Sequence, residues 1–294
     1  MKSIITEIKK GRVLISDGAC GTELHKRGLK PGECPEAWNL THHDDVLAIA
    51  KAYIDAGSDI ILTNSFGANP VKLKNFKLEE KVIELNRAAA MISREAAGYT
   101  HFVFGSMGPT GLMLCMGGAS EEEVYEGYCI QAKALAEGGV DALCIETMSD
   151  PVEAGLAIRA VKASTDCEAA CTFVFNKSPS GDFHTMMGLS IDNAIKIALD
   201  AGADIIGSNC GNGIDGMIDI ARLIRVHDNS TPILIQANAG LPVFKDGETV
   251  FRETPEQMAA KAADLIKAGA NIIGGCCGTS SEHIRALAKA VKNI

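Results

Sequence analysis

Short apolar runs rich in β-branched residues recur along the chain: "VLIS" (13–16), "DIILT" (59–63), "FVFGS" (102–106), "ALCIE" (142–146), "AACTFVF" (169–175), "DIIGS" (204–208), "ILIQA" (233–237) and "NIIGG" (271–275). Their apolar positions are continuous rather than alternating, which predicts parallel strands buried on both faces. Between most of them lie stretches of helical period such as "DVLAIAKAYIDAG" and "PEQMAAKAADLIKAG". Helix starts are marked by Ser120…Glu123, Thr254-Pro255…Gln257 and Thr279…Glu282, which have the capping-box spacing, and by the acidic analogue Asp150-Pro151…Glu153. Four echoes, "AGSDII", "GGVDAL", "AGADII" and "AGANII", each end a helix at Gly and enter a strand. Eight strand–helix units predict a single-domain (β/α)8 TIM barrel over residues 1–294. The other arrangement of such units, an open doubly wound sheet, lacks the GxGxxG after a first strand that would support it.

In such a barrel, chemistry belongs at the carboxyl ends of the strands. The unusual polar segments sit there: "DGACGTE", "TNSFGAN", "SMGPTG", "ETMSD", "NCGNG", "ANAG" and "CCGTS". The opposite ends carry only Gly-Ala-Asp turns.

Composition narrows the class. The 294 residues are 47% hydrophobic and 22% charged, as in a globular protein with an ample core. A net charge of −9 argues against nucleic acid or an anionic membrane surface as partner. No run approaches the roughly 20 apolar residues of a membrane span, and "MKSIITEIKKGRVL" lacks a signal peptide's apolar centre. A cytoplasmic location with reduced thiols is therefore expected for the ten cysteines.

Two of those cysteines, Cys276 and Cys277, are adjacent after the eighth run, and an ordinary disulfide between neighbours is disfavoured by geometry. Cys210 follows the sixth run in the same way, so all three are expected to meet across the barrel rim. Three thiolates with one open position is the pattern of a catalytic zinc. The remaining cysteines are expected to pack, with Cys20 and Cys115 in top-face loops. His42-His43 is expected at a solvated helix start and His184 in a top loop. Met107, Met113, Met116, Met186 and Met187 are expected to line a methyl-transfer site or to pack.

Taken in order, "DGACGTELHKRG", "AYIDAGSDIILTNSFGAN", "SMGPTG", "GVDALCIETMSD", "NCGNG", "ANAGLP" and "GGCCGT" span nearly the whole chain. Through them the chain resembles the homocysteine S-methyltransferase family, in particular the homocysteine-binding barrel of its cobalamin-dependent branch. The resemblance implies that Cys210, Cys276 and Cys277 bind Zn2+ and that Asn238 fills the fourth position without substrate. It implies that Glu146 holds the substrate amino group, and that Asp17, Gly18 and Thr22 lie against the carboxylate end. Ser106, which opens "SMGPTG", joins the expected substrate contacts, and Cys20 stands where the family often has Met. The expected reaction moves a methyl group to homocysteine or a similar amino-acid thiol, from a methylcorrinoid carried by a separate protein or domain. Alternative donors are a sulfonium (S-methylmethionine or S-adenosylmethionine) or betaine; alternative roles are thioether demethylation or thiol binding beside a corrinoid protein. With one Trp and four Tyr, an aromatic cage for betaine is hard to build, although Trp38 in a top loop is a candidate member.

Overall fold

The computed structural model describes residues 3–245 and 248–294. Eight parallel strands form one sheet: β1 (Leu14–Ile15), β2 (Ile60–Leu62), β3 (Phe102–Met107), β4 (Ala142–Met148), β5 (Glu168–Phe173), β6 (Ile205–Asn209), β7 (Ile233–Ala237) and β8 (Ile272–Gly275). Their order, β1-β8-β7-β6-β5-β4-β3-β2, closes into a barrel through a bridge between Ser16 and Ile60. Helices surround it, as the strand–helix alternation predicts.

Inside the barrel, Leu14, Ile60, Phe102, Phe104, Cys144, Ala170, Ile205, Leu234 and Ile272 form one buried cluster with Ile4. Ile4 comes from the helix Ile4–Lys9, which is tied to the lower end of β5: Glu168 accepts from Ser3 Oγ at 2.5 Å and from the Ile4 N–H at 2.9 Å. That end is closed by packing. A second, larger cluster fills the layer between strands and helices.

The repeated Gly…Asp turns are a structural device. Gly57, Gly139, Gly202 and Gly269 all adopt left-handed backbone, with φ of 102°, 96°, 100° and 107°. The acid or amide that follows then returns to the preceding strand. Ile15, Val103, Ala169 and Ile233 donate their N–H groups to the side chains of Asp59, Asp141, Asp204 and Asn271 at 2.8–2.9 Å. The backbone N–H of each of those four donates back to the same residue's carbonyl. A cation completes each turn: Arg12 on Asp59, Arg94 on Asp141, Lys162 on Asp204 and Arg225 on Asn271. Four strand pairs are stitched at the lower rim, and the upper rim stays open to vary.

Several local expectations are corrected. Ser120–Glu123 and Thr254–Gln257 do form capping boxes, but Thr279…Glu282 does not. The box there is Ser280 with His283, because the Thr279 hydroxyl is engaged, donating to the Cys276 carbonyl at 2.7 Å and accepting from the Ala19 N–H. Asp150 caps its helix, whereas Glu153 turns away to accept from the Thr110 N–H and the Tyr128 hydroxyl. The helix expected over 255–269 breaks at Lys261, where a tighter bond to the Met258 carbonyl interrupts the ladder.

Candidate functional site

Cys210 lies one residue past β6 and bends sharply, at φ 59°. Its N–H donates to the Gln236 carbonyl on β7 at 3.1 Å, and the Cys276 N–H donates to the neighbouring Ala237 carbonyl at 2.7 Å. One strand, β7, therefore sets the height of both thiol turns. Close strand packing helps: a Cβ on Gly207 of β6 would stand 1.8 Å from the Leu234 carbonyl oxygen, which only Gly permits.

The result is a three-thiol cluster. The Sγ atoms of Cys210, Cys276 and Cys277 all lie within 4.8 Å of one another, and those of Cys210 and Cys277 are 3.7 Å apart. Zn–S bonds of about 2.3 Å in a tetrahedron put sulfurs about 3.8 Å apart, so the donor set fits zinc in kind and in spacing. Asn238, 3% exposed, keeps its Oδ1 without a partner, the state expected of a group with a ligand to meet. Two S–H donors aimed at Cys210 pull its thiol down to about 3, chiefly from Cys276. The same sharing pushes Cys277 up to about 11 and Cys276 well up. The cluster is built to hold negative charge on sulfur.

Glu146 faces the thiols from β4. Opposite the single residue Thr172 of β5, β4 places two residues, Glu146 and Thr147, so the strand bulges. Thr147 takes the left-handed conformation, φ 65°, a costly one for a β-branched residue. The Glu146 carboxylate accepts from the Ser106 hydroxyl and from Asn209 Nδ2 at 3.3 Å. Burial pushes its carboxyl up to about 7, against the lowering effect of Ser106 and with help from the charge on Cys210.

Between these groups lies a cavity of about 300 Å³, lined by Asp17, Gly18, Cys20, Thr22, Ser106, Glu146, Gln236 and the three thiols. Asp17 is buried and serves the barrel seam: its Oδ2 accepts from the Leu62 N–H at 2.7 Å, while Oδ1 has no partner. Burial drives its proton affinity well up. A Cβ on Gly18 would stand 2.7 Å from Thr279 Oγ1 and 3.0 Å from the Tyr53 ring, so a side chain there would displace them. Of the substrate residues expected from sequence, Asp17, Gly18, Thr22, Ser106 and Glu146 all line this cavity. Asn238 does not; its side chain acts on Cys210 from the adjoining turn.

A second cavity, about 430 Å³, shares Thr147 and Cys210 with the first and is lined by Pro109, Leu112, Met113, Val174, Met186 and Met187. The methionines thus divide: Met113, Met186 and Met187 line this space, while Met107 is fully buried in the core. Trp38 is corrected: it is 6% exposed, stacked on His42 at 4.0 Å, and lines neither cavity. His42 and His43 are exposed at their helix start as expected. His184 is held in a short hairpin opposite Asn176 and also lines neither cavity. Cys34, Cys144, Cys167 and Cys171 are buried, while the side chain of Cys115 lies outside the described residues. Sequence reasoning missed Asn209, Thr147 and Gln236; nothing in a sequence marks a Thr with positive φ.

Fold and site together define a (β/α)8 barrel whose top face carries a thiol cluster beside a buried carboxylate. The model of the homocysteine S-methyltransferase family matches residues 14–291, and the chain belongs to that family. It is similar to methionine synthase of Mycobacterium leprae (strain TN), 31% identical over 296 residues, covering 95% of this chain and 24% of the relative. Methionine synthase of Mycobacterium tuberculosis (strain ATCC 25618 / H37Rv) is 30% identical over 306 residues, covering 99% and 25%. The chain thus spans about a quarter of the length of these curated relatives. Among solved structures, the metallated form of the homocysteine methyltransferase MmuM from Escherichia coli superposes with a TM-score of 0.79 at 22% identity, covering 97% of this chain and 98% of that one, which establishes the shared fold. Among the described residues, no helix is long and apolar enough to cross a membrane.

Proposed function

We propose that residues 1–294 act as one catalytic barrel that moves a methyl group to the sulfur of homocysteine, giving methionine, with zinc held by Cys210, Cys276 and Cys277. The observation that carries this reading is the convergence of three thiols and the buried carboxylate of Glu146 on a cavity of amino-acid size, with a second cavity meeting it at Cys210. A free thiol is only a few per cent ionised at pH 7, so forming the nucleophile requires about 2 kcal/mol. Zinc in the cluster would supply a Lewis acid that keeps the substrate sulfur deprotonated.

The chain's own residues do the rest. Glu146, held by Ser106 and Asn209, takes the substrate ammonium. The loop at Asp17, Gly18 and Thr22 meets the carboxylate end, and the burial that raises the proton affinity of Asp17 lessens the charge it sets against that carboxylate. Asn238 stands ready for the position that the substrate sulfur replaces. With both ends fixed, the sulfur is aimed toward the second cavity, and such positioning contributes more than ionisation alone. The thiol proton leaves to solvent before transfer; the donor–methyl bond then breaks with its electron pair left on the donor, as the new C–S bond forms from a sulfur lone pair.

A methylcorrinoid on a separate protein or domain is the donor this reading favours. The second cavity is lined largely by apolar groups, among them Met113, Met186 and Met187, and Met186 is exposed to solvent. The matched relatives are methionine synthases whose chains extend far beyond this barrel. No aromatic ring lines that cavity among the described residues, so a quaternary ammonium donor finds no cage. The test is methionine formation from homocysteine with methylcobalamin, S-methylmethionine, S-adenosylmethionine or betaine supplied in turn. Methionine from methylcobalamin is the expected result. Methionine only from another donor would overturn the corrinoid reading, and none from any donor would overturn the reaction.

A further inference from the structure

We infer that Asn209 is a positioning residue that holds the ammonium-binding carboxylate and one metal-binding thiol in register through a single side-chain amide. The inference rests on the function proposed above. Asn209 ends β6 and is fully buried. Its Oδ1 accepts from the Thr147 N–H at 2.8 Å and from the Thr172 hydroxyl at 2.7 Å. A backbone N–H can only donate, so the amide orientation is fixed and Nδ2 must face the other way.

There Nδ2 meets three acceptors: Thr147 Oγ1 at 2.7 Å, Glu146 Oε2 at 3.3 Å and Cys276 Sγ at 3.8 Å. The two ends of the amide do different work. Oδ1 pins the bulge at its strained residue, Thr147, from the backbone side. Nδ2 then sets the Glu146 carboxylate and the Cys276 sulfur relative to each other across the floor of the cavity. An N–H donated to a metal-bound thiolate also draws electron density from that sulfur, as charge-assisted bonds do. Asn209 touches neither the reacting sulfur nor the methyl group; it acts through the groups that do.

The test uses Asn209→Leu, which keeps the branched shape and deletes every polar contact, and Asn209→Ala, which leaves space for water should the first variant fail to fold. Two readouts separate positioning from simple support of the fold. One is the preference for homocysteine over 4-mercaptobutanoate, which lacks the ammonium, measured by equilibrium binding to the zinc-loaded protein. The other is the thiolate-to-metal absorption of the protein loaded with cobalt(II). The variants are expected to lose about tenfold or more of the preference, the scale of one hydrogen bond to a charged group. Their cobalt band is expected to move to lower energy. Wild-type preference and an unmoved band in a folded variant would overturn the role of Asn209 alone. A wild-type protein that takes up no cobalt and shows no preference would overturn the zinc-thiol reading, and this inference with it.

Discussion

In the proposed function Glu146 is the residue on which recognition of an amino acid turns, and its environment gives that role a pH signature. Its carboxyl titrates near 7 because burial disfavours the anion. Below that pH it is neutral and offers the ammonium no charge; above it the anion is present and binding strengthens. The preference of wild type for homocysteine over its des-amino analogue is therefore expected to rise with pH through about 7. In Glu146→Gln the preference is expected to fall by roughly ten- to a hundredfold and to lose its pH dependence. A flat wild-type profile in competition binding would contradict the assignment. At this scale the thiols were readable in the sequence, because neighbouring cysteines resist forming a disulfide and a third cysteine follows a strand two places away. Asn209 and the seam role of Asp17 were not, since both depend on which backbone groups lie opposite, and pattern alone does not say.

The strands explain why the site stands where it does. The apolar runs located all eight, and "ILIQA" matches β7 residue for residue. Elsewhere the ends shift: β4 continues past "ALCIE" to Met148 because the bulge at Glu146 and Thr147 keeps polar residues in the sheet. The Gly…Asp echoes were visible as repeats, but their purpose required coordinates, since the acid's partner is on the preceding strand. Removing one such clamp separates stability from chemistry. Asp141→Ala leaves the Val103 N–H without its acceptor and Arg94 without its ion pair. It is expected to cost about 1–3 kcal/mol in denaturant unfolding, with zinc content unchanged, because the clamp lies at the rim opposite the thiols. Unchanged stability would show that water replaces the lost acceptor there.

For the molecule as a whole, the two ends of the barrel have separate tasks. The lower end is plugged by Ile4 and stitched by the four Gly…Asp turns. The upper end holds two cavities that share Cys210 and Thr147, one lined by the three thiols and Glu146, the other by Met113, Met186 and Met187. The proposed methyl transfer would use this layout, with the acceptor thiol held in one cavity, the donor entering by the other and the methyl carbon between them. The zinc-thiolate centre is the claim on which the rest depends, and X-ray absorption at the zinc edge tests it most directly. The protein purified under reducing conditions is expected to hold one equivalent of zinc with three sulfur neighbours and a lighter fourth atom. Homocysteine is expected to replace that atom with a fourth sulfur, and Cys210→Ala to lose the metal. A protein that carries no zinc, or whose sulfur count is unchanged by homocysteine, would contradict the account.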